Sequence, residues 1–232
     1  MSSTNRTYLL IAIAFAIAAN PVFSQTAHPD LSGYWELRYD SMSVPPASLV
    51  APPTPAITAA QARHDIEAIR WCTNIGVPYI LGDRAPLDIR QSPTVIAMIA
   101  KVQSSARYIY TDGRKRPERD DLDPTTNGYT IGRWEGDTLV ADTTGFNDRG
   151  ATRIPGGGVR TPTSHLVERY RLLDSGARLS ASFTWDDPKV FQKPHTYEYR
   201  YYRIKNIDDP RILPCDQGDQ DRARFLLPPD GR

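Results

Sequence analysis

The segment Gly128–Phe146, GYTIGRWEGDTLVADTTGF, constrains the fold more than any other part of the chain. Two strand-like runs flank Trp134-Glu135-Gly136-Asp137, a tight reversal with glycine where a positive φ is needed. Similar strand-and-turn segments recur through the C-terminal half at His165–Leu173, Arg178–Trp185 and Thr196–Lys205. Before them, Thr94–Lys101 and Arg107–Thr111 read as another hairpin. Faces alternate: Leu179, Ala181, Phe183 and Trp185 point one way, and Tyr197, Tyr199 and Tyr201 line one face of the last strand. The expected fold class is mainly β, an antiparallel barrel or strongly curved sheet with one packed N-terminal helix.

That helix is expected over residues 58–71. Thr58 and Gln61 form a capping-box pattern, and Ile66 and Ile69 share the face expected to pack on the sheet. His64 lies off that stripe and reads as a surface residue. The proline-rich stretch at 43–57 reads as an extended connector. Asn147–Thr163, with Pro155-Gly156-Gly157-Gly158, is a glycine-rich loop, either a mobile cover over a cavity mouth or a plain connection. It lacks the Gly-Lys-Ser/Thr of a phosphate loop.

The first 24 residues read as a signal peptide. Arg6 precedes the apolar run Leu9–Ala19, Asn20-Pro21 breaks it, and Val22-Phe23-Ser24 offers small residues to a peptidase. A single domain over 25–232, about 208 residues, is then expected in the periplasm or outside the cell. Without Arg6 the formal charge of +1 falls to zero, so composition gives no reason to expect nucleic acid or an anionic membrane as partner. The two cysteines, Cys72 and Cys215, are expected to form one disulfide, a closure worth about 4–5 kcal/mol by chain entropy.

Asp30-Leu31-Ser32-Gly33-Tyr34-Trp35 places a Gly-x-Trp at the start of the first strand. This resembles the opening of lipocalins and other calycin barrels, in which the tryptophan plugs one end of a closed sheet. A wider resemblance rests on the run Gly132–Phe146, on His165-x-x-Glu168-Arg169 and on Asp186-Asp187-Pro188-x-x-Phe191-x-x-Pro194. Together with Asp112-Gly113-Arg114 and the paired cysteines, these are similar to a widespread group of exported bacterial proteins. That resemblance implies no particular activity, and it singles out His165, Glu168 and Arg169.

No nucleophile elbow, zincin or dinucleotide motif is present, and the four histidines lie far apart in sequence, so neither metal nor cofactor is expected. On a strand, Leu166, Glu168 and Tyr170 share one face. A carboxylate among apolar neighbours is desolvated and its pKa raised, which is one way to make an acid/base group. The competing reading pairs Glu168 across the sheet with Arg200, Arg178 or Arg133. The leading functional expectation is a cofactor-independent lyase, isomerase or dehydratase acting on a small aromatic or hydrophobic molecule. His165, Glu168 and Tyr170 would be catalytic, and Arg133, Arg169, Trp185 and Tyr199 would bind substrate. The alternative is a non-catalytic carrier of a hydrophobic small molecule.

Overall fold

A computed structural model of the protein describes residues 28–70, 75–83, 85–100 and 105–205. The expected leader, Cys72 and Cys215 lie outside the described residues. Nine strands close into a barrel in chain order: β1 (Gly33–Ser43), β2 (Leu87–Gln91), β3 (Val95–Ala100), β4 (Ala106–Tyr110), β5 (Tyr129–Glu135), β6 (Thr138–Thr144), β7 (His165–Leu173), β8 (Arg178–Asp186) and β9 (His195–Ile204). All neighbours run antiparallel except β4 and β5, which are parallel and share only two rungs. The mainly β barrel expectation therefore holds, with a mixed sheet in place of a purely antiparallel one.

Alternation builds the wall. Leu179, Ala181, Phe183 and Trp185 of β8 are buried inward, as are His195, Tyr197, Tyr199 and Tyr201 of β9. Phe183 stacks on Tyr197 with centroids 5.0 Å apart and meets Tyr170 edge-on at 6.2 Å, geometries that aromatic pairs favour.

The two ends of the barrel are built differently. At one end lie three short turns, between β2 and β3, β5 and β6, and β7 and β8, with the start of β1 and the close of β9. Trp35 plugs this end. Its Nε1 donates to Leu31 O at 3.0 Å, and the Arg203 guanidinium lies 4.2 Å above its ring. Arg203 also donates to the carbonyls of Ser32 and Gly176, stitching strand starts to a turn. The Gly-x-Trp signal is thus borne out as a structural plug.

The opposite end carries the long connections. One contains α1 (Pro55–Arg70) and α2 (Tyr79–Gly82). The helix starts earlier than the expected 58, inside the proline-rich stretch, because Pro55 suits a first helical position and Thr54 Oγ1 accepts from Ile57 N at 3.3 Å. Its packing also differs from expectation. The buried face carries Asp65 and Ala68, and Ile66 is only half-buried. Asp65 accepts from Thr152 N at 2.9 Å and from Arg153 Nε at 2.7 Å, so a carboxylate ties α1 to the β6–β7 connection, while the side chain of Ile69 lies outside the described residues.

Ile75–Gly82 plugs the barrel from this end. Ile75, Val77, Ile80 and Leu81 are buried, Leu81 O accepts from Tyr201 OH at 2.6 Å, and Ile75 O accepts from Ala151 N at 2.9 Å. The aromatic wall of β9 thus packs on the chain's own apolar segment.

Candidate functional site

Beneath the elaborated end lies a polar layer within the lumen. Arg107, 2% exposed, meets Glu168, which is fully buried, through a fork in which Nη1 donates to Oε1 and Nη2 to Oε2, both at 2.7 Å. Arg107 Nη2 also donates to Thr130 Oγ1 at 2.9 Å, and Tyr170 OH donates to Glu168 Oε1 at 2.6 Å. Burial pulls the guanidinium pKa down, but the Glu168 charge and hydrogen bonds more than offset it, and the net direction is upward. Burial drives the Tyr170 hydroxyl well above its ordinary value. Both oxygens of Glu168 are therefore held by donors that keep their protons. An arginine partner for Glu168 was expected, but it is none of Arg200, Arg178 and Arg133: Arg133 pairs with Glu135 and Arg178 with Asp174, and the partner is Arg107, 61 residues away on a strand whose face no local signal revealed.

His165 stands on the outer wall, with Nε2 3.2 Å from Asp142 Oδ1, and Arg116 pairs with the same carboxylate. The structure brings Glu168 and Tyr170 together and leaves His165 on the other side of the sheet. Arg133 and Arg169 are also outside, both paired with Glu135. Trp185 and Tyr199 are inside and buried, with Trp185 Nε1 donating to Tyr197 OH at 3.3 Å. The motif Asp187 is a knot: it accepts from the hydroxyls of Thr161, Thr163 and Ser164 and from Lys189 N. Phe191 pairs with Leu49 and stacks on His195 at 5.7 Å.

The open space lies at the elaborated end. A cavity of about 770 Å³ runs between α1, which presents His64, Glu67 and Ala68, and the loops at Pro124–Thr126 and Asn147–Gly150. A smaller cavity of about 320 Å³ adjoins it, sharing His64 and Asp148 and reaching Gln61 and Arg160. His64, expected to be a plain surface residue, therefore stands between two cavities, with Nδ1 3.7 Å from Asp65 Oδ1. Sequence reasoning missed this cleft because its residues come from three separate connections. The one available hint was the glycine-rich loop after β6, whose first turns line it. Among the described residues, no group of three His, Cys, Asp or Glu is placed to hold a metal ion, and no helix is long and apolar enough to cross a membrane.

No protein-family model matches this chain, and no curated protein matches its sequence. Among solved structures, the chain is similar to a secretary abundant heat soluble (SAHS) protein from Ramazzottius varieornatus. The match has 10% identity and a TM-score of 0.29, and covers 75% of this chain and 94% of that one. A likeness that distant carries no functional argument.

Proposed function

We propose that this is an exported barrel protein that binds a small molecule in the cleft between α1 and the loops of the elaborated end. The cavity of about 770 Å³ carries the reading, because its size matches that of a small-molecule site and its walls converge polar groups from three connections. The lumen supports binding over turnover. Its acid, Glu168, is committed to Arg107 and Tyr170, and the other proposed acid/base group, His165, lies outside the barrel. Export is favoured by the leader pattern and the pair of cysteines.

A hydrophobic guest in the lumen is a second reading, favoured by one observation. Ile75–Gly82 packs against the aromatic wall at Tyr199 and Tyr201 as an apolar guest would, and such a guest would have to displace it. Native mass spectrometry of protein purified from its own envelope tests both. We expect one small molecule per chain, with amide chemical-shift changes at Thr125–Thr126 and Asn147–Gly150 when it is added back. Changes confined to Tyr197–Tyr201 and Ile75–Gly82 would favour the lumen. A protein that retains nothing and shows no shift with its own cell extract would defeat the binding reading.

A further inference from the structure

The chain buries two arginines almost completely and treats them in opposite ways. Arg107 has its charge answered by the carboxylate of Glu168. Arg160, also 2% exposed, has no carboxylate within ion-pair distance among the described residues. Its Nη1 donates to Asn147 O at 2.7 Å and its Nη2 to Arg149 O at 2.5 Å. Nε, like that of Arg107, is buried with no hydrogen-bond partner among the described residues, and the Phe146 ring lies 5.3 Å from the guanidinium carbon. Carbonyl dipoles and an aromatic face compensate a buried cation only in part, and a buried charge is costly unless an anion or several hydrogen bonds meet it. Desolvation lowers the Arg160 pKa to about 10, with the Asp148 and Asp65 carboxylates opposing it only from beyond ion-pair distance.

Arg160 lines the smaller cavity, which shares His64 and Asp148 with the larger one. We infer that this cavity is the anchor subsite for a carboxylate on the bound molecule, with the Arg160 guanidinium as its counter-ion and the body of the molecule extending beneath α1. The inference rests on the cleft-binding reading above. The two outer N–H groups already serve the loop, so the anion would take Nε–H and whichever Nη hydrogens remain, a charge-assisted contact that strengthens where water is excluded. Asp148, on the rim shared by both cavities, sets the charge limit. Its carboxylate disfavours a dianion more than a monoanion, so the subsite selects a carboxylate over a phosphate. The fixed contacts to Asn147 and Arg149 make Arg160 preorganised, with little side-chain freedom left to lose on binding.

The test uses the full mature chain and three probes of graded charge: benzoate, its neutral counterpart benzamide, and inorganic phosphate, followed by amide chemical shifts across residues 146–162. Benzoate is expected to bind about tenfold or more tightly than benzamide, the scale of a charge-assisted hydrogen bond, and more tightly than phosphate. Arg160→Lys keeps the charge but loses the fork and should weaken benzoate by about tenfold without changing benzamide. Asp148→Asn lies on the exposed rim, does not threaten folding, and should tighten benzoate several-fold while leaving benzamide unmoved. Equal binding of benzoate and benzamide in the cleft, or no benzoate binding at all, would overturn the carboxylate subsite. The binding reading would survive the first outcome and would also survive the second wherever the native molecule still shifts the cleft amides. Phosphate binding as tight as benzoate would overturn the monoanion selectivity.

Discussion

The two ends of the barrel solve closure with different materials. The plain end uses a tryptophan plug, a guanidinium laid on it and three short turns, all held by groups close in sequence to a strand terminus. The elaborated end uses separate connections knotted by buried polar groups: Asp65 on Thr152 and Arg153, Asp187 on three hydroxyls, His195 on Pro155 O, and Arg107 on Glu168 beneath them. Both mouths carry an apolar plug, Trp35 at the plain end and Ile75–Gly82 at the other, so the difference lies in what is built around the plug. Polar knots fix the loops while leaving cavities between them, and the cleft is found at that end. A barrel can therefore keep stability and a site apart, one at each mouth.

The largest effect that would break this contrast comes from the layer beneath the elaborated end. Arg107→Met strands a buried carboxylate, and the expected loss is about 3–5 kcal/mol in urea unfolding. Glu168→Gln strands the guanidinium and should cost a similar amount. Replacing both partners with apolar residues, as in Arg107→Met with Glu168→Leu, should recover much of the loss, because no charge is then left alone. Additive losses in that double-mutant cycle would mean the two residues do not act as a pair, and Glu168 would again be open to an acid/base role.

The plain end and the wall were legible in the sequence because their signals are local. Gly33-x-Trp35, the reversal at Gly136 and the alternation of β7, β8 and β9 each need only a few consecutive residues to be read. The faces of Leu179–Trp185 and of Tyr197–Tyr201 followed directly from period two. The cleft was not legible, since His64, Thr126, Asp148 and Arg160 meet only after the barrel has closed. The helix misled for a related reason. Ile66 and Ile69 suggested an apolar stripe, while the contact that positions α1 is a carboxylate meeting a backbone N–H 87 residues away. Glu168 was correctly placed among apolar neighbours, but its counter-ion comes from across the barrel.

A middle-sized effect sharpens the contrast through two glycines. Gly136 turns the β5–β6 hairpin at the plain end with φ +62°, and an added Cβ would meet nothing within 4 Å. Gly156 has φ +87°, but there a Cβ would sit 2.4 Å from Pro45 O and 2.6 Å from His195 Nε2. Gly136→Ala should cost about 1–2 kcal/mol, the left-handed penalty alone. Gly156→Ala should cost more, about 2–3 kcal/mol, because strain adds to a displaced loop and a broken His195 contact. Thermal unfolding of the two variants side by side gives the ranking. Equal losses would show that the loop at Gly156 yields freely and that the elaborated end is not knotted as described.

The smallest expected effect is a pH dependence confined to the elaborated end. On the outer wall, His165 faces Asp142 and Arg116, with Asp186 opposite it on β8. The Asp142 carboxylate raises the His165 pKa above 6.5, chiefly by direct contact, with burial opposing. A folded-state value above the unfolded one means that this contact contributes fully below about pH 6.5 and fades as pH rises through the raised value. Asp142, drawn down to about 2 chiefly by His165 and then by Arg116, behaves oppositely: its contribution persists to strongly acid pH and fades only as pH falls toward 2. Because the histidine side chain is 39% exposed, solvent screening limits the effect to below about 1 kcal/mol. The Trp35 plug is held by its bond to Leu31 O and by Arg203, apart from the Asp142–His165 contact, so Gly33–Trp35 should show no matching change. Amide exchange between pH 6 and pH 9, corrected for intrinsic rates, should therefore loosen at His165–Val167 and Asp142–Thr144 and not at Gly33–Trp35. In His165→Gln the difference between the two ends should vanish. A loosening that is uniform across both ends, or that persists in the variant, would place the pH sensitivity elsewhere.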